Sequence, residues 1–273
     1  MDHDADREIC RIAGAFDMHR FYIDPTTAPS FIINAEIPLP EHVSHQIRNV
    51  LRLRLGGKIE LFTGDGDEWT AEIVGAVHGN VRPNHASARL IDQRTPDVEM
   101  RTKVTMVMAL TRPQRYELAL AKCTELGACR FIPIVSERVQ RADASVQSNR
   151  KSRWNRIVVE AAELSGRVHV PQITSPQPLG AALDQLTLAN TSVIFLWEQT
   201  PEPMLTDLLA SFRDQANGST EIALAFGPVG GFSNEEAERA VASGAQLASL
   251  GPRILRTETA AIASMAVAAQ VLS

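Results

Sequence analysis

Cysteine is scarce in this sequence, and long apolar stretches are missing. The three cysteines, Cys10, Cys123 and Cys129, are too few for a disulfide framework, and their spacing with the seven histidines matches no familiar zinc site. No apolar run approaches the roughly 18 residues that a membrane helix needs, and the N-terminus has no basic region followed by an apolar core. We therefore expect free thiols, no metal, no membrane partner and a cytoplasmic protein.

The known phosphate-binding glycine motifs are missing as well. Residues 226–232 read Phe-Gly-Pro-Val-Gly-Gly-Phe, without the lysine of a P-loop or the three-glycine spacing of a Rossmann fold. Because this stretch follows an apolar run and precedes a helix-start pattern at residues 233–236, it indicates a strand, a tight turn and a helix. Such a turn either reverses the chain or lets the backbone approach a ligand. A neutral or zwitterionic nucleoside ligand fits it better than ATP or NAD.

Acidic residues outnumber basic ones, but the charge is unevenly distributed. The net charge is -5, yet residues 101–170 carry 13 basic and 6 acidic side chains, whereas residues 171–273 carry 4 and 10. A basic central region can attract phosphate backbones by releasing counterions. A solvated helical face gives the same count, so both interpretations stay open.

The first part of the chain indicates an extension followed by a small β-barrel. Residues 1–17 are acidic and lack periodicity, which is typical of a disordered extension or of an upstream start site. Residues 18–94 alternate short β-prone runs with turns, and one helix is predicted over residues 42–51. Some basic side chains of this region suit RNA, although surface arginines are often only solvated. The candidates are Arg20, His45, Arg48 and Arg52.

From residue 95 onward, strands alternate with helices. Residues 94–97 indicate a linker, and the continuous apolar run at residues 104–110 is typical of a buried parallel strand. Residues 95–273 therefore predict an α/β domain with a mostly parallel sheet. The helix that begins at Pro113 has a basic face, which we expect to contact RNA phosphates through Arg112, Arg115 and Lys122.

Three loops in this half follow predicted strands and contain unusual residues. They lie at residues 196–200, 227–231 and 250–252. Ligands in open α/β sheets bind outside the carboxyl ends of the strands. We therefore expect these loops to converge on one small molecule.

With these motifs, the sequence resembles the bacterial 16S rRNA uracil-N3 methyltransferase family, a branch of the SPOUT superfamily. The resemblance extends over nearly the whole chain from Arg20. The most specific stretches are Glu-Ala-Ala-Glu-Leu-Ser-Gly-Arg at residues 160–167 and Leu-Gly-Pro-Arg-Ile-Leu-Arg-Thr-Glu-Thr at residues 250–259. Supporting similarity lies at residues 20–22, 122–127 and 133–138.

The resemblance implies both a fold and an activity. It implies a PUA-like β-barrel for RNA recognition in residues 18–94 and a SPOUT-type methyltransferase domain with a trefoil knot in residues 95–273. The second domain would bind S-adenosyl-L-methionine, form a homodimer and methylate a uridine in 16S rRNA of the small ribosomal subunit. Arg138, which ends one similar block, joins the candidate RNA contacts. The cofactor-binding positions would be Leu196, Trp197, Glu198, Phe226, Gly227, Pro228, Gly230, Gly231, Leu250, Gly251, Ile254, Leu255, Arg256 and Thr259.

The implied reaction requires N3 of uracil to lose its proton, because a neutral imide is a poor nucleophile near pH 7. We expect Arg167 and Arg256 to stabilise negative charge on the uracil oxygens, and Glu163 or Glu258 to accept the proton. Two other interpretations stay open: Glu258 balances its helix dipole, and Glu163 forms a surface ion pair with Arg167.

One position departs from the family pattern. Where the family's glycine turn usually has a glutamate, this chain has Val229. The missing carboxylate predicts weaker cofactor binding, while the backbone cradle stays intact. Two other functions stay open: another SPOUT enzyme that acts on tRNA or on a ribose hydroxyl, and an RNA-binding relative without catalysis.

Overall fold

The chain divides into two compact units after Val98. The computed structural model describes residues 18–26, 31–76, 86–140, 148–215 and 221–273. The predicted extension at residues 1–17 lies outside these described residues, and the predicted linker at residues 94–97 ends one residue before the division. None of the helices described is both long and apolar enough to cross a membrane.

The first unit contains a five-stranded sheet. Its strands are β1 Arg20–Tyr22, β2 Glu36–Pro38, β3 Lys58–Phe62, β4 Glu68–Ala76 and β5 Ala86–Arg94. Their order is β1-β3-β4-β5-β2, with β1 parallel to β3 and the other neighbours antiparallel. The predicted helix between β2 and β3 is present as α1, Glu41–His45, which continues into a π-helical turn over Gln46–Val50.

A buried ionic cluster lies on β3 and β4. It includes Glu60 and Glu68, which are each 3% exposed. Arg20 Nε donates to Glu68 (2.5 Å), and Arg94 donates to Glu68 (2.9 Å) and to Glu60 (2.6 Å). The Arg20 guanidinium also lies 4.0 Å from the centroid of the Phe62 ring. Burial, followed by the Glu68 charge, raises the pKa of Glu60 despite both arginines. These contacts favour a structural role for Arg20 over the predicted RNA contact.

The second unit contains a seven-stranded parallel sheet. Its strands are β6 Lys103–Ala109, β7 Arg130–Val135, β8 Gln172–Ile173, β9 Gln177–Pro178, β10 Ser192–Leu196, β11 Glu221–Phe226 and β12 Gln246–Ala248. Their order is β12-β10-β11-β6-β7-β8, and β9 also pairs with β7. The strand predicted over residues 104–110 agrees with β6 within one residue at each end.

Helices cover both faces of this sheet. They are α2 Pro113–Glu125, α3 Ser148–Ser165, α4 Leu179–Leu188, α5 Leu205–Gln215, α6 Asn234–Ala242 and α7 Thr257–Leu272. Helices α2, α3, α5 and α7 pack on the face that contains Met106 and Leu224, and α4 and α6 pack on the face that contains Val107 and Ala225. Because both faces are buried, the strands are apolar throughout, which is why the sequence could predict them.

Candidate active site

Three loops at the carboxyl ends of neighbouring strands enclose a cavity of about 450 Å³. The loops follow β10, β11 and β12, and β10 lies between the other two strands in the sheet, so the predicted loops do converge. Thr259 is exposed and lies outside the lining. The predicted cofactor positions that line the cavity are Leu196, Trp197, Glu198, Phe226, Gly227, Pro228, Gly230, Gly231, Leu250, Gly251, Ile254, Leu255 and Arg256.

The turn after β11 has a conformation and a close packing that require glycine. Gly230 and Gly231 have φ angles of 99° and 70°, in the left-handed region. A Cβ atom at Gly227 would lie 2.9 Å from the backbone carbonyl carbon of Gly231, and a Cβ atom at Gly231 would overlap the Glu198 carboxylate. The absence of side chains here lets one loop pack directly against another.

Two hydrogen bonds fix this turn internally and to the last helix. The Gly231 N–H donates to the Pro228 carbonyl at 3.0 Å. Thr257 Oγ1, at the start of α7, donates to the Gly227 carbonyl, also at 3.0 Å. The turn after β11 is therefore connected to the segment that begins α7, and both contribute to the cavity wall.

The loop after β10 brings an aromatic and an acidic side chain to the cavity. The Trp197 backbone N–H donates to the Ala248 carbonyl at 3.2 Å, which ties this loop to β12. The indole Nε1 of Trp197 is buried and has no hydrogen-bond partner within the described part of the chain. Glu198 is exposed and supplies the single carboxylate among the described residues that line the cavity.

The loop after β12 presents apolar and basic side chains at the cavity rim. Gly251 has a φ angle of 95°, and its N–H donates to Ser249 Oγ at 3.1 Å. Beyond this turn, Ile254 is 89% exposed, and the exposed side chains of Arg253 and Arg256 also line the cavity. The rim therefore combines an uncovered apolar side chain with two guanidinium groups.

A third guanidinium reaches the cavity from α2. Arg115 lines it, and the Arg115 Nε lies 3.6 Å from Glu258 Oε1 in the first turn of α7. Glu258 itself is not a lining residue, and its Oε2 is buried with no hydrogen-bond partner among the residues described. With three lining arginines and one lining carboxylate, the cavity favours an anionic or electron-rich group at its mouth.

Arg167 lies outside the cavity in a buried network. It is 4% exposed, its Nη1 donates to the carbonyls of Thr124 (2.9 Å) and Ala128 (2.6 Å), and its Nη2 donates to Glu99 (2.6 Å). Burial alone would raise the pKa of Glu99, but the hydrogen bond and charge of Arg167 lower it below its ordinary value. This placement favours a structural role for Arg167 over the predicted catalytic one. Glu163 is half-buried on α3 and is also outside the lining.

The other candidate RNA contacts have different surroundings. In the first unit, His45, Arg48 and Arg52 are exposed on α1 and the π-helical turn or just after it. In the second unit, Arg112 is exposed, and Lys122 Nζ lies 2.7 Å from a Glu125 carboxylate oxygen. Their contact with RNA stays a prediction. Arg138 donates to backbone carbonyls of the turn after β11.

Neither described cysteine belongs to the cavity. Burial raises the pKa of Cys123, and burial followed by the Glu221 charge raises that of Cys129, so both thiols stay protonated near neutral pH. Within the described ranges, no group of three or more His, Cys, Asp or Glu side chains is arranged to hold a metal ion.

Four polar lining residues, Arg115, Ser249, Arg253 and Thr257, are not among the predicted cofactor positions. Arg253 and Thr257 lie inside the specific stretch at residues 250–259, so their position in the loop was a usable signal. Ser249 directly follows β12 and could be found by the rule that ligands bind at strand ends. Arg115 had no such signal, because its place at the cavity depends on how α2 packs beside α7.

Comparisons with known proteins agree with this architecture. Residues 98–269 match the model of an RNA methyltransferase domain, and residues 39–80 match that of an RNA methyltransferase PUA domain. By class, then, the chain is an RNA methyltransferase whose catalytic domain follows a PUA domain.

Similar proteins narrow this class to one family of RNA methyltransferases. The chain is 33% identical to ribosomal RNA small subunit methyltransferase E of Synechocystis sp., over 88% of this chain and 74% of the relative, and 30% identical to that of Bacillus subtilis, over 89% and 93%. A crystal structure of the Neisseria gonorrhoeae enzyme of this name, bound to S-adenosyl methionine, is 29% identical, with a TM-score of 0.77 over 91% of this chain and 95% of that chain. The chain belongs to the ribosomal RNA small subunit methyltransferase E family.

Proposed function

We propose that this protein transfers the methyl group of S-adenosyl-L-methionine to N3 of a uridine in the 16S rRNA of the small ribosomal subunit. The observation that carries the proposal is the cavity at the ends of β10, β11 and β12, in a fold whose Neisseria gonorrhoeae relative is bound to S-adenosyl methionine. The names of the relatives support small-subunit rRNA as the substrate, in preference to tRNA.

The cavity fits this cofactor in volume and offers groups for its charged ends. Its volume of about 450 Å³ lies within the range of roughly 300–1,000 Å³ that is common for small-molecule sites. Gly227 and Gly231 leave the turn without Cβ atoms, so the backbone can contact a ligand directly. Glu198 and the rim arginines offer opposite charges for the amino and carboxylate groups of a zwitterion. S-adenosyl-L-methionine, when bound, supplies an electrophilic methyl group.

The arginines of the rim would stabilise the uracil as it loses its N3 proton. Negative charge develops on the uracil oxygens as N3 loses its proton, and positioned cations stabilise that charge. Arg256 keeps the role that the sequence predicted, and Arg253 takes the place of Arg167, because both line the cavity while Arg167 is buried elsewhere.

Glu258 is the proposed proton acceptor. Its Oε2 is buried without a hydrogen-bond partner among the described residues, so it could accept a proton once the side chain turns toward the cavity, which the adjacent residue Thr257 lines. Arg115, 3.6 Å from the other carboxylate oxygen, would hold the group in place. A proton acceptor must come within hydrogen-bond reach of N3, so this role requires the uracil to lie against the start of α7.

We also propose a homodimer that forms through α7. After Glu258 this helix has no charged side chain, and Thr259 and Gln270 are its exposed residues. Ala263 and Ala266 are half-buried and lie about one turn apart, so they could let a second helix approach closely. These features support an apolar contact between two copies.

The trefoil knot and the cytoplasmic location are further parts of the proposal. The chain leaves β12 at one edge of the sheet, and α7 then returns to pack on α2 and α5 and against β6 and β11. This path supports a C-terminal segment that passes through an earlier loop. A substrate in the small ribosomal subunit supports a cytoplasmic enzyme that acts in ribosome biogenesis.

The proposed substrate can be tested by mapping modified nucleosides in 16S rRNA. A strain that lacks the chain should lose one 3-methyluridine, and expression of the wild-type protein should restore it. An unchanged 16S rRNA profile, or a loss confined to tRNA or to ribose methylation, would contradict the proposal.

A further inference from the structure

Arg138 contacts the turn after β11 from outside the cavity. This residue follows β7, and its Nη1 donates to the carbonyls of Gly230 (2.5 Å) and Phe232 (3.3 Å). Its Cδ lies 3.9 Å from the position that a Cβ atom of Gly230 would occupy. One guanidinium nitrogen therefore bridges the two carbonyls on either side of Gly231.

Arg138 and Gly230 are exposed, but Phe232 and the backbone next to Arg138 are held by buried residues. Phe232 is fully buried, and its ring stacks on Phe195 with 4.1 Å between the centroids. Glu236 is 2% exposed, and its carboxylate accepts hydrogen bonds from the backbone N–H groups of Ser233 (3.0 Å) and Glu137 (2.8 Å). Because Glu137 precedes Arg138 directly, the Glu236 carboxylate fixes the backbone of Arg138 relative to the end of the turn.

Ordering this turn costs conformational entropy, so a contact that holds its conformation stabilises it. Gly230 and Gly231 both have positive φ angles, and glycine loses more conformational freedom on ordering than any other residue. A charge-assisted hydrogen bond is roughly twice as strong as a neutral one. The Arg138 guanidinium can therefore keep this glycine pair ordered before a ligand arrives.

We propose that Arg138 is a positioning residue that holds the turn after β11 in its ligand-binding conformation, and that it is not the RNA contact that its place in the sequence predicts. The residue does not line the cavity, so it acts through the backbone of Gly230 and Phe232. This inference rests on the proposed function, because the ligand of the turn is taken to be S-adenosyl-L-methionine.

Calorimetric titration of the full-length protein with S-adenosyl-L-methionine tests this role. Arg138→Ala should weaken cofactor binding about tenfold, since it removes a charge-assisted contact from an ordered binding loop. Arg138→Lys should recover part of the loss, because its ammonium group can still donate to a backbone carbonyl. Arg156→Ala removes an arginine that is 67% exposed on α3, and this control should bind like the wild type.

Binding to small ribosomal subunits and thermal unfolding, measured on the same variants, separate the possible roles of Arg138. The proposal expects both to stay within error of the wild type in Arg138→Ala, so that only cofactor affinity changes. Unchanged cofactor affinity, weaker subunit binding alone, or a loss that follows a lower unfolding temperature would each overturn it. If the wild-type protein itself binds no cofactor, the proposed function fails and this inference fails with it.

Discussion

At the scale of single residues, the balance of charge in the cavity depends on very few side chains. Glu198 is the one carboxylate among the described lining residues. Val229 also lines the cavity, on the turn after β11, where the family resemblance leads us to expect a glutamate. Val229 is 57% exposed, so a longer side chain can be accommodated there without disturbing the core. Substitution of single residues in the cavity should therefore change its cofactor affinity most directly.

Restoring the carboxylate by Val229→Glu should tighten the binding of S-adenosyl-L-methionine. A carboxylate at this position can interact with the start of α6 and with the cationic part of the ligand, which is worth about 0.3–1 kcal/mol at an exposed site, or roughly twofold to fivefold in Kd. Val229→Gln has the same length without the charge and is the control. Equal or weaker binding by Val229→Glu, measured by calorimetry, would show that no carboxylate is missing here.

Glu99 makes a second prediction at the residue scale, and this one concerns stability. Its carboxylate neutralises the buried Arg167, so Glu99→Gln should lower the free energy of unfolding at pH 7 by about 2–4 kcal/mol. The pKa of Glu99 is lowered in the folded state, so its contribution is complete above the ordinary value of 4.5 and is lost as the pH falls through the folded value.

Urea unfolding at several pH values checks the Glu99 prediction. The difference between the wild type and Glu99→Gln should be largest near neutral pH and should shrink as the pH falls below 4.5. Val98→Ala changes an exposed neighbour without a charge and serves as the control. A difference that does not depend on pH would contradict the ion pair as the source of the stability.

At the scale of elements, the strand ends and the loops that follow them supply most of the cavity lining, and helices α2 and α7 supply the rest. The strands themselves were predictable because α2, α3, α5 and α7 on one face and α4 and α6 on the other bury both sides of the sheet. β8 and β9 were not, because two-residue strands have no periodicity. Strand length and burial therefore explain why the loops of the cavity could be predicted while the short strands β8 and β9, which pair with β7, could not.

Gly231→Ala tests the turn after β11. The substitution requires a left-handed φ angle of 70° and places a Cβ atom on the Glu198 carboxylate, so we expect cofactor binding to weaken by more than about tenfold. Gly244→Ala is a matched control, since its φ angle is 90° but a Cβ atom there meets nothing within 4 Å. Both variants should lose about 1–2 kcal/mol of stability. Equal cofactor affinity in the two variants would refute the close approach of the loops.

At the scale of the whole molecule, the three cavity loops could be predicted from the sequence, whereas the contacts of two charged side chains could not. The strand-end rule and the family resemblance placed the three loops correctly at one cavity. Arg167 was interpreted through its sequence neighbour Glu163, whereas its buried partner Glu99 lies 68 residues away. Arg20 was treated as a surface residue, although β1 brings it to Glu68. Local sequence patterns do not predict long-range contacts of charged side chains.

The proposed homodimer is a prediction at this scale. Ala266→Glu places a charge on the apolar face of α7 and should shift the protein from twice the mass of the chain to a single chain in analytical ultracentrifugation, because an unpaired charge is costly in an interface. Leu188→Glu adds the same charge at a position that is 89% exposed on α4, and it should leave the mass unchanged. A dimer that persists in Ala266→Glu would exclude this face as the interface.

The central claim of this account is that the cavity serves methyl transfer to N3 of uridine in 16S rRNA. The most direct measurement incubates the purified protein with methyl-labelled S-adenosyl-L-methionine and small ribosomal subunits from a strain that lacks the chain, followed by nucleoside analysis of the rRNA. We predict label in 3-methyluridine at a single site. Label in a ribose-methylated nucleoside, or no label in rRNA from a protein that binds the cofactor, would contradict the claim.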